Sequence, residues 1–210
     1  MEKASVSRRT VELAAADLPG YIAGLPRLLT ENLKISVSGV LTDLLIINGF
    51  YGSGSISIEG DGGCKFQGGV MTNCSVNITL INLEISGLSE AGNAIVFVDT
   101  SRSFVMSNCT ITGSGSADSE GAFGVRANGL SHVLISNCGI SNCATAVIAA
   151  LNSVVSIYNR TGGTFENNDI GPYVYYGGII LLSGTTPELL GGATSAKSGG
   201  LIVKGDGTLL

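Results

Sequence analysis

The chain lacks Trp, contains a single His and carries few charges, because only 13% of its 210 residues are Asp, Glu, Lys or Arg. The net charge is −5, and the sequence contains no block of Lys and Arg. A nucleic-acid partner is therefore not expected, because neutralising phosphates requires clustered cations. The scarcity of charge does not indicate disorder, since 44% of the residues are hydrophobic and disordered chains combine low hydrophobicity with high net charge.

Long hydrophobic segments are also missing. No apolar run reaches the ~18 residues that a membrane-spanning helix needs, and the N-terminus contains no apolar segment of the signal-peptide type. We therefore expect no membrane insertion, and synthesis in the cytoplasm without a secretion signal. The Gly-rich stretches contain neither a P-loop nor a GxGxxG turn before a helix, so no nucleotide cofactor is expected.

The cysteines are odd in number and irregularly spaced, and none forms a CxxC motif. With one His in the chain, a zinc site of Cys and His ligands is not expected, and we predict neither a metal nor a cofactor. The cysteines are interpreted as small buried apolar residues. They are Cys64, Cys74, Cys109, Cys138 and Cys143.

Glycine is abundant, with 31 residues, and from Leu33 onward short runs of Val, Ile, Leu, Thr and Ser alternate with Gly and Asn. This sequence pattern is typical of short strands joined by tight turns. Three segments share Asn followed by Cys or Leu, any residue, Ile, and then Ser or Thr: residues 81–87, 107–113 and 136–141. A period of 26 to 29 residues between their Asn positions indicates one solenoid coil per repeat.

The repeat predicts a turn that recurs in successive coils. Its Asn residues should occupy one turn position, its Ile residues should point inward, and two of its cysteines should be stacked neighbours. The Asn residues are Asn82, Asn108 and Asn137, the inward Ile residues are Ile85, Ile111 and Ile140, and the stacked cysteines are Cys109 and Cys138. Weaker copies are interpreted at Asn73 and in residues 165–171.

Residues 10–30 are the only stretch with helical periodicity, and Pro26 should divide it into two short pieces. Asp17 can cap the start of the helix, with Pro19 in the first turn. We predict that this amphipathic segment covers the N-terminal end of the solenoid. The expected organisation is an N-terminal segment with the capping helix (1–32), a parallel β-helix (33–183) and a C-terminal assembly segment of the same domain (184–210).

Two stretches near the start, LPRLLTENLKISVSG and IINGFYGSGSISIEG, and the C-terminal stretch from Tyr175 to Leu210, carry a resemblance to a known family. With the repeats between them, the chain resembles the pectate-lyase-like superfamily. More narrowly, it resembles tail appendage (tailspike-like) proteins of phages and prophages of Gram-positive hosts. The resemblance implies an all-β fold, a right-handed parallel β-helix built as a single-stranded solenoid with a short N-terminal capping helix.

The same resemblance implies a function. We expect a non-catalytic structural or adhesin protein of the tail that presents a surface to a host-cell glycan or to other tail proteins. It would be found in the virion tail particle, or outside the cell after host lysis. Self-association, held mainly by residues 172–210, is expected because this stretch has more apolar residues than one thin coil can bury. The residues alone would equally allow a dimer, and the resemblance to phage β-helical spikes implies a homotrimer. An assembly cap or trimerisation module of a longer fibre is a further alternative.

A polysaccharide lyase or glycoside hydrolase is the alternative from another class, because paired carboxylates perform such chemistry. The candidates are Asp118 and Glu120 in the polar insertion 113–124, followed by Arg126. Asp99 and Arg102 occupy the corresponding turn one coil earlier, so stacking could bring them to the same face as Glu120 and Arg126. The superfamily's lyases use Ca²⁺-binding carboxylates, but no multi-Asp signature is present here.

The richest group of tyrosines lies in GPYVYYGG, at Tyr173, Tyr175 and Tyr176. A Tyr side chain offers an apolar face and a polar tip, which suits a sugar ring and a protein interface alike. These tyrosines, with Asp99 and Arg102, are the candidate ligand-binding residues. A Ser/His/Asp triad would have to use His132, but the chain contains no GxSxG motif.

Overall fold

The structure is a computed structural model that describes residues 7–86, 94–114, 122–158, 163–183 and 193–210. Within these ranges the chain forms 24 short strands, one 3-10 turn and one short α-helix. The helical elements are the 3-10 turn Ala15–Asp17 and α1 (Leu18–Ala23). The strands are β1 (Arg8–Ala14), β2 (Leu28–Leu29), β3 (Asn32–Ser38), β4 (Val40–Leu41), β5 (Leu45–Asn48), β6 (Tyr51–Gly52), β7 (Ser55–Gly60), β8 (Lys65–Phe66), β9 (Val70–Asn73), β10 (Asn77–Ile81), β11 (Glu84–Ile85), β12 (Ala94–Asp99), β13 (Ser103–Ser107), β14 (Thr110–Thr112), β15 (Phe123–Asn128), β16 (His132–Ser136), β17 (Gly139–Ser141), β18 (Thr145–Ala149), β19 (Val154–Tyr158), β20 (Phe165–Glu166), β21 (Ile170–Val174), β22 (Ile179–Leu182), β23 (Ala193–Ala196) and β24 (Leu201–Lys204).

Of the described strands, 22 stack into three long parallel sheets, and β2 and β6 form a separate two-stranded parallel sheet. The nine-stranded sheet has the order β1-β3-β7-β10-β13-β16-β19-β22-β24, the six-stranded sheet β4-β8-β11-β14-β17-β20, and the seven-stranded sheet β5-β9-β12-β15-β18-β21-β23. The chain visits the three sheets in that sequence and then begins the next coil. The result is a parallel β-solenoid of about seven coils, which confirms the predicted fold class.

The core is a column of aliphatic side chains inside the solenoid. Strands such as β3 alternate buried and half-buried residues, as period-two patterning requires. Because paired strands are in register, each inward residue packs on the inward residue of the next coil. One such ladder in the nine-stranded sheet is fully buried and consists of Ile35, Ile58, Leu80, Met106, Ile135, Ile157 and Leu182.

The predicted Asn turn is confirmed. Asn82, Asn108 and Asn137 all adopt left-handed backbone conformations, with φ of 55°, 53° and 51°. Asn tolerates this conformation better than other non-glycine residues. The N–H of Asn108 donates to the carbonyl of Ser136 in the next coil at 3.0 Å. The Ile three residues after each Asn is buried, and these Ile residues are register partners in the six-stranded sheet, as predicted: Ile85, Ile111 and Ile140.

The two weaker copies of the repeat were predicted wrongly. Asn73 ends β9 in the seven-stranded sheet, where its register partner is Asn48. Asn167 has φ of 54° but stacks at another corner, because the N–H of Asn142 donates to the carbonyl of Glu166, the residue before Asn167. The solenoid has several left-handed corners per coil, so the presence of Asn alone does not identify which corner it occupies.

The cysteines are buried, reduced and part of the core, as predicted. The N–H of Cys109 donates to Sγ of Cys138 at 3.4 Å, which places the two residues one above the other. Burial raises the pKa of the Cys64 thiol to about 11, and burial likewise raises that of Cys143 to about 11. These two thiols therefore remain protonated at neutral pH. Because the thiolate is the reactive form, buried and protonated thiols react slowly.

The N-terminal helix is shorter than predicted. Residues 10–14 belong to β1, which pairs with β3 in the nine-stranded sheet, and β2 pairs with β6 where a second helical piece was expected. Strand pairing in β1 outweighs helical periodicity. The helix ends at Ala23 with Gly24 as its C-cap, so Pro26 lies beyond the helix and does not divide it. Pro19 lies in the first turn of α1 as predicted, but the Asp17 side chain makes no capping hydrogen bond.

The capping role of this segment is confirmed. The 3-10 turn contacts β4 and α1 contacts β5, which are the end strands of the six- and seven-stranded sheets. Leu18 and Ile22 are buried against the core. The first coil thus consists of one strand and a helical lid. The lid covers apolar side chains that would otherwise face solvent at the end of the solenoid.

The C-terminal end has its own covering. After β24 the chain turns back, and the N–H of Lys204 donates to the carbonyl of Thr208 at 2.8 Å. The N–H of Leu210 donates to the carbonyl of Ile202 at 3.0 Å. The last residues therefore occupy the free edge of β24, which reduces edge-to-edge pairing. The β-helix was predicted over residues 33–183. Because β1 pairs with β3 and β22 pairs with β24, the stack of strands extends beyond both of these bounds.

Candidate functional site

The outer face of the seven-stranded sheet carries a ladder of large side chains. The register of the parallel strands aligns one outward position in each of them. At this position lie Phe97 of β12, Arg126 of β15, Ile148 of β18, Tyr173 of β21 and Ser195 of β23. Equivalent positions in a parallel sheet point to the same side and lie one strand spacing apart. These strands therefore form a row of mainly large side chains along the axis of the solenoid, in which Arg126 lies among aromatic and apolar neighbours.

A groove of about 710 Å³ lies over this row. Its walls include the turn after β21 and the end of β23. We call it the tyrosine groove, and its side chains include Phe123, Arg126, Ile148, Tyr173, Tyr175, Tyr176 and Lys197. A concave surface with aromatic walls and a few polar groups is the usual form of a ligand site.

Arg126 is held in a fixed position within the groove. Its Nη2 donates to the hydroxyl of Tyr175 at 3.3 Å, and its Nε donates to Oδ1 of Asn128 at 3.3 Å. The guanidinium carbon lies 5.8 Å from the ring centroid of Phe97 and 6.0 Å from that of Phe123. These distances are compatible with cation–π attraction. The side chain is half-buried, so these neighbours restrict both its position and the orientation of its plane.

The tyrosines form a packed cluster. The ring centroids of Tyr173 and Tyr175 are 5.4 Å apart, and those of Tyr175 and Tyr176 are 5.0 Å apart in an edge-to-face arrangement. Lys197 places its Nζ 5.7 Å from the Tyr173 centroid. Tyr176 is 60% exposed and adopts a left-handed conformation with φ of 48° at the tip of the turn. The cluster therefore presents ring faces and edges, with polar hydroxyl tips, to the solvent.

The local sequence explains this presentation. Val174 is buried, so the alternation of the strand directs Tyr173 and Tyr175 outward on either side of it. The N–H of Gly178 donates to the carbonyl of Tyr175 at 3.1 Å, which closes the turn. Gly177 follows Tyr176 in the left-handed region, with φ of 76°. The two residues at positive φ reverse the chain and leave Tyr176 at the rim of the groove.

Four of the candidate residues named from the sequence come together here: Arg126, Tyr173, Tyr175 and Tyr176. Asp99 is the last residue of β12 and the register partner of Asn128. Arg102 lies elsewhere, in a shallow polar pocket with Ser75 and Asn77. Asp118 and Glu120 lie outside the described residues. Phe123, Ile148 and Lys197, which line the groove with the tyrosines, and Phe97, which lies against Arg126, were missed, because only the stacking of the coils brings them there.

Carboxylates are scarce at the site. Asp169 is the only one among the described residues that line the groove. Elsewhere, Glu84 forms an ion pair with Lys65 at 2.9 Å, and Glu166 accepts a hydrogen bond from Oγ1 of Thr164 at 2.8 Å. Acid–base hydrolysis of a glycosidic bond usually needs two carboxylates flanking one bond. The described part of the groove therefore offers features for binding and no paired carboxylates.

Nowhere in the described ranges do three or more His, Cys, Asp or Glu side chains group in a way that could hold a metal ion. None of the helical residues described forms a segment long and apolar enough to cross a membrane.

Comparison of the chain with protein-family models, with curated proteins and with solved structures gives no match. The stacked parallel sheets place the protein in the class of parallel β-solenoids.

Proposed function

We propose that this protein is a non-catalytic, glycan-binding β-solenoid of a phage or prophage tail, and that the tyrosine groove is its binding surface. The observation that carries the binding role is the packed cluster of Tyr173, Tyr175 and Tyr176 beside the fixed Arg126. Tyrosine rings pack against the apolar faces of sugars while their hydroxyls remain available for hydrogen bonds. The tail context is supported by the resemblance of the terminal segments, and implies exposure on a virion or outside the cell after lysis.

Tyrosine substitutions in the groove test the binding role. Tyr176→Ala should weaken the binding of Gram-positive wall polysaccharide about tenfold, because an exposed aromatic contact is lost without disturbing the core. Tyr51→Ala is the matched control, since Tyr51 is 53% exposed and belongs to β6, outside the groove. Glycan-array binding and titration calorimetry measure the effect. Equal loss of binding in both variants, or no loss in Tyr176→Ala, would contradict the assignment.

A polysaccharide lyase or hydrolase is the second candidate. Its support is that Arg126, which follows the polar insertion containing Asp118 and Glu120, lies within the groove. The scarcity of carboxylates among the described groove residues favours the binding role instead. On the proposed function, Asp118→Asn and Glu120→Gln leave the affinity for polysaccharide unchanged.

Self-association is proposed on a different surface, the outer face of the nine-stranded sheet. From β13 to β24 its outward positions carry no Asp, Glu, Lys or Arg, whereas in the first coils Lys34 and Glu59 form an ion pair there. The apolar residues of this face are Val105, Leu134, Val154, Ile179, Leu181, Leu201 and Val203. The same outward positions also hold His132, Ser103, Ser107, Ser136 and Ser156. A largely apolar face without acidic groups, Lys or Arg favours association between copies, and the resemblance to tail spikes favours a homotrimer.

Light scattering tests this proposal. The full chain should have the mass of a trimer at micromolar concentration, and Leu134→Lys should convert it to monomer, because a charge would be placed in the apolar face. Thr79→Lys is the control, since Thr79 is in the same outward ladder on the polar half of the sheet. A monodisperse monomer for the unsubstituted chain refutes the trimer.

A further inference from the structure

Two leucines occupy exposed positions in neighbouring coils, at the corner that leads from the seven-stranded to the nine-stranded sheet. Leu130 follows β15 and is 67% exposed, and Leu151 follows β18 and is 48% exposed. The N–H of Leu130 donates to the carbonyl of Leu151 at 3.1 Å, so the two residues lie beside each other. We call them the corner leucines. Within one chain, both side chains remain largely in contact with solvent.

The backbone at these two positions also disfavours leucine. Leu130 has φ of 64° and Leu151 has φ of 52°, in the left-handed region where the Cβ of a bulky residue crowds the following carbonyl oxygen. Apart from Tyr176 of the groove, the other described residues with positive φ at this corner are small or polar: Thr100, Gly129, Asn152, Gly177, Ser198 and Gly199. Exposure and conformation therefore both disfavour these leucines in a single chain. Strained residues of this kind indicate a functional surface.

The corner leucines adjoin the face that is proposed above for self-association. Leu130 lies four residues before Leu134, and Leu151 lies three residues before Val154, both of which point outward on that face. One coil before Leu130, the corner carries Thr100 instead, and the ion pair on the same face lies in the first coils. The corner and the face are therefore apolar in the same coils, so one partner can cover both surfaces together.

The spacing of these side chains indicates the kind of partner. Equivalent residues in neighbouring coils lie one strand spacing, about 4.8 Å, apart along the solenoid axis. A surface that covers the corner and the face over several coils must offer side chains at the same repeat. A second copy of this chain, with its axis alongside, meets that requirement because its own coils have the same spacing.

We propose that the contact between copies continues around this corner and buries Leu130 and Leu151 against a neighbouring copy of the chain, with the two solenoid axes side by side. The inference rests on the proposed self-association and adds the corner to its surface. Removing the two side chains from water stabilises the assembly and offsets the unfavourable backbone conformation. The contact ends before Tyr176, which lies in the following coil at the rim of the tyrosine groove. Association and glycan binding therefore use different residues.

Substitution by asparagine separates this contact from a structural role. Leu130→Asn and Leu151→Asn should each raise the dissociation constant of the assembly at least tenfold in sedimentation velocity across a dilution series, because an apolar contact is lost. Neither variant should lower the thermal unfolding temperature of the dissociated chain, since asparagine tolerates left-handed backbone. Thr100→Asn is the matched control: Thr100 has φ of 47° at the same corner, and its substitution should leave the dissociation constant unchanged.

Thiol labelling measures the burial of the corner directly, because the native cysteines are all buried. Leu151→Cys should react with a maleimide at least tenfold more slowly at concentrations where sedimentation shows it assembled than after dilution to the dissociated chain. Thr110→Cys, at an exposed position of the six-stranded sheet, should react at the same rate in both states.

The outcomes distinguish this inference from the self-association on which it rests. If Leu134→Lys dissociates the assembly but both asparagine variants associate like the unsubstituted chain, the corner is not part of the contact and the inference is wrong. Equal labelling of Leu151→Cys in the two states overturns it as well. A monomeric unsubstituted chain overturns both the inference and the proposed self-association.

Discussion

A chain that begins at Glu31 should be recovered as an aggregate, whereas a chain that begins at Ser7 should remain soluble and unfold cooperatively. The longer deletion removes β1 and the helical lid, and with them Ala15 and four large buried aliphatic side chains: Leu18, Ile22, Leu25 and Leu29. At about 2 kcal/mol for each buried aliphatic side chain, the loss is comparable with the total stability of a domain. It also exposes the edge of β3 to pairing with other chains.

A single substitution tests the lid without changing chain length. Leu18→Asp should lower the free energy of unfolding by about 4 kcal/mol, because it places an unpaired carboxylate where Leu18 is fully buried. Ala16→Asp is the matched control, because Ala16 is an exposed residue of the 3-10 turn that directly precedes Leu18. Urea unfolding followed by circular dichroism measures both variants. A soluble, cooperatively folding chain from Glu31 onward would show that the solenoid does not need its lid.

Gly178→Ala should be the most damaging of the conservative single substitutions near the groove. A Cβ at Gly178 would lie 2.2 Å from the carbonyl oxygen and 2.5 Å from the carbonyl carbon of Ala149 in the preceding coil. Backbone atoms cannot move aside as a flexible side chain can, so two coils must separate. We expect a loss of about 3 kcal/mol in the free energy of unfolding.

The same substitution should weaken glycan binding, because Gly178 closes the turn that presents Tyr175 and Tyr176. Gly20→Ala is the control: nothing lies within 4 Å of a Cβ there, and the position is helical. It should raise stability by up to about 1 kcal/mol and leave binding unchanged. Thermal unfolding and calorimetric binding of the two variants measure the contrast. Unchanged stability in Gly178→Ala would contradict the close approach of the coils.

The coil architecture was predictable from sequence because its signal is local. Asn108 and Ile111 lie three residues apart within one turn and strand, and the same spacing returns in the coils before and after. Left-handed backbone and inward packing impose these residue types wherever the corner recurs. The helix was harder to delimit, because β1 gains its structure from pairing with β3, which the sequence of residues 8–14 does not reveal.

The interior serines show a second limit. Ser101, Ser131 and Ser153 are completely buried at one corner, although serine is usually exposed. The N–H of Ser101 donates to Oγ of Ser131 at 3.0 Å, and Oγ of Ser153 donates to the carbonyl of Ala127 at 2.9 Å. Their sequence spacings are unequal, because the connecting segments vary in length. A ladder of this kind becomes visible only when the coils are stacked.

The tyrosine groove was predicted in part for the same reason. The cluster of tyrosines was visible as a local enrichment, but Arg126 lies 49 residues before Tyr175 along the chain. Two coils separate them, and each coil has its own length, so their meeting depends on the accumulated register of β15, β18 and β21. Residue type identified the candidates, and stacking determined which of them form one site.

The central claim, binding without cleavage, is tested most directly by the molar mass of a wall polysaccharide before and after incubation with the protein. Size-exclusion chromatography with light scattering should show a complex, and the polysaccharide recovered after removal of the protein should have its original mass. Asp118→Asn and Glu120→Gln should give the same result. A recovered polysaccharide of lower mass, with the decrease abolished by Glu120→Gln, would establish an enzyme and contradict the account.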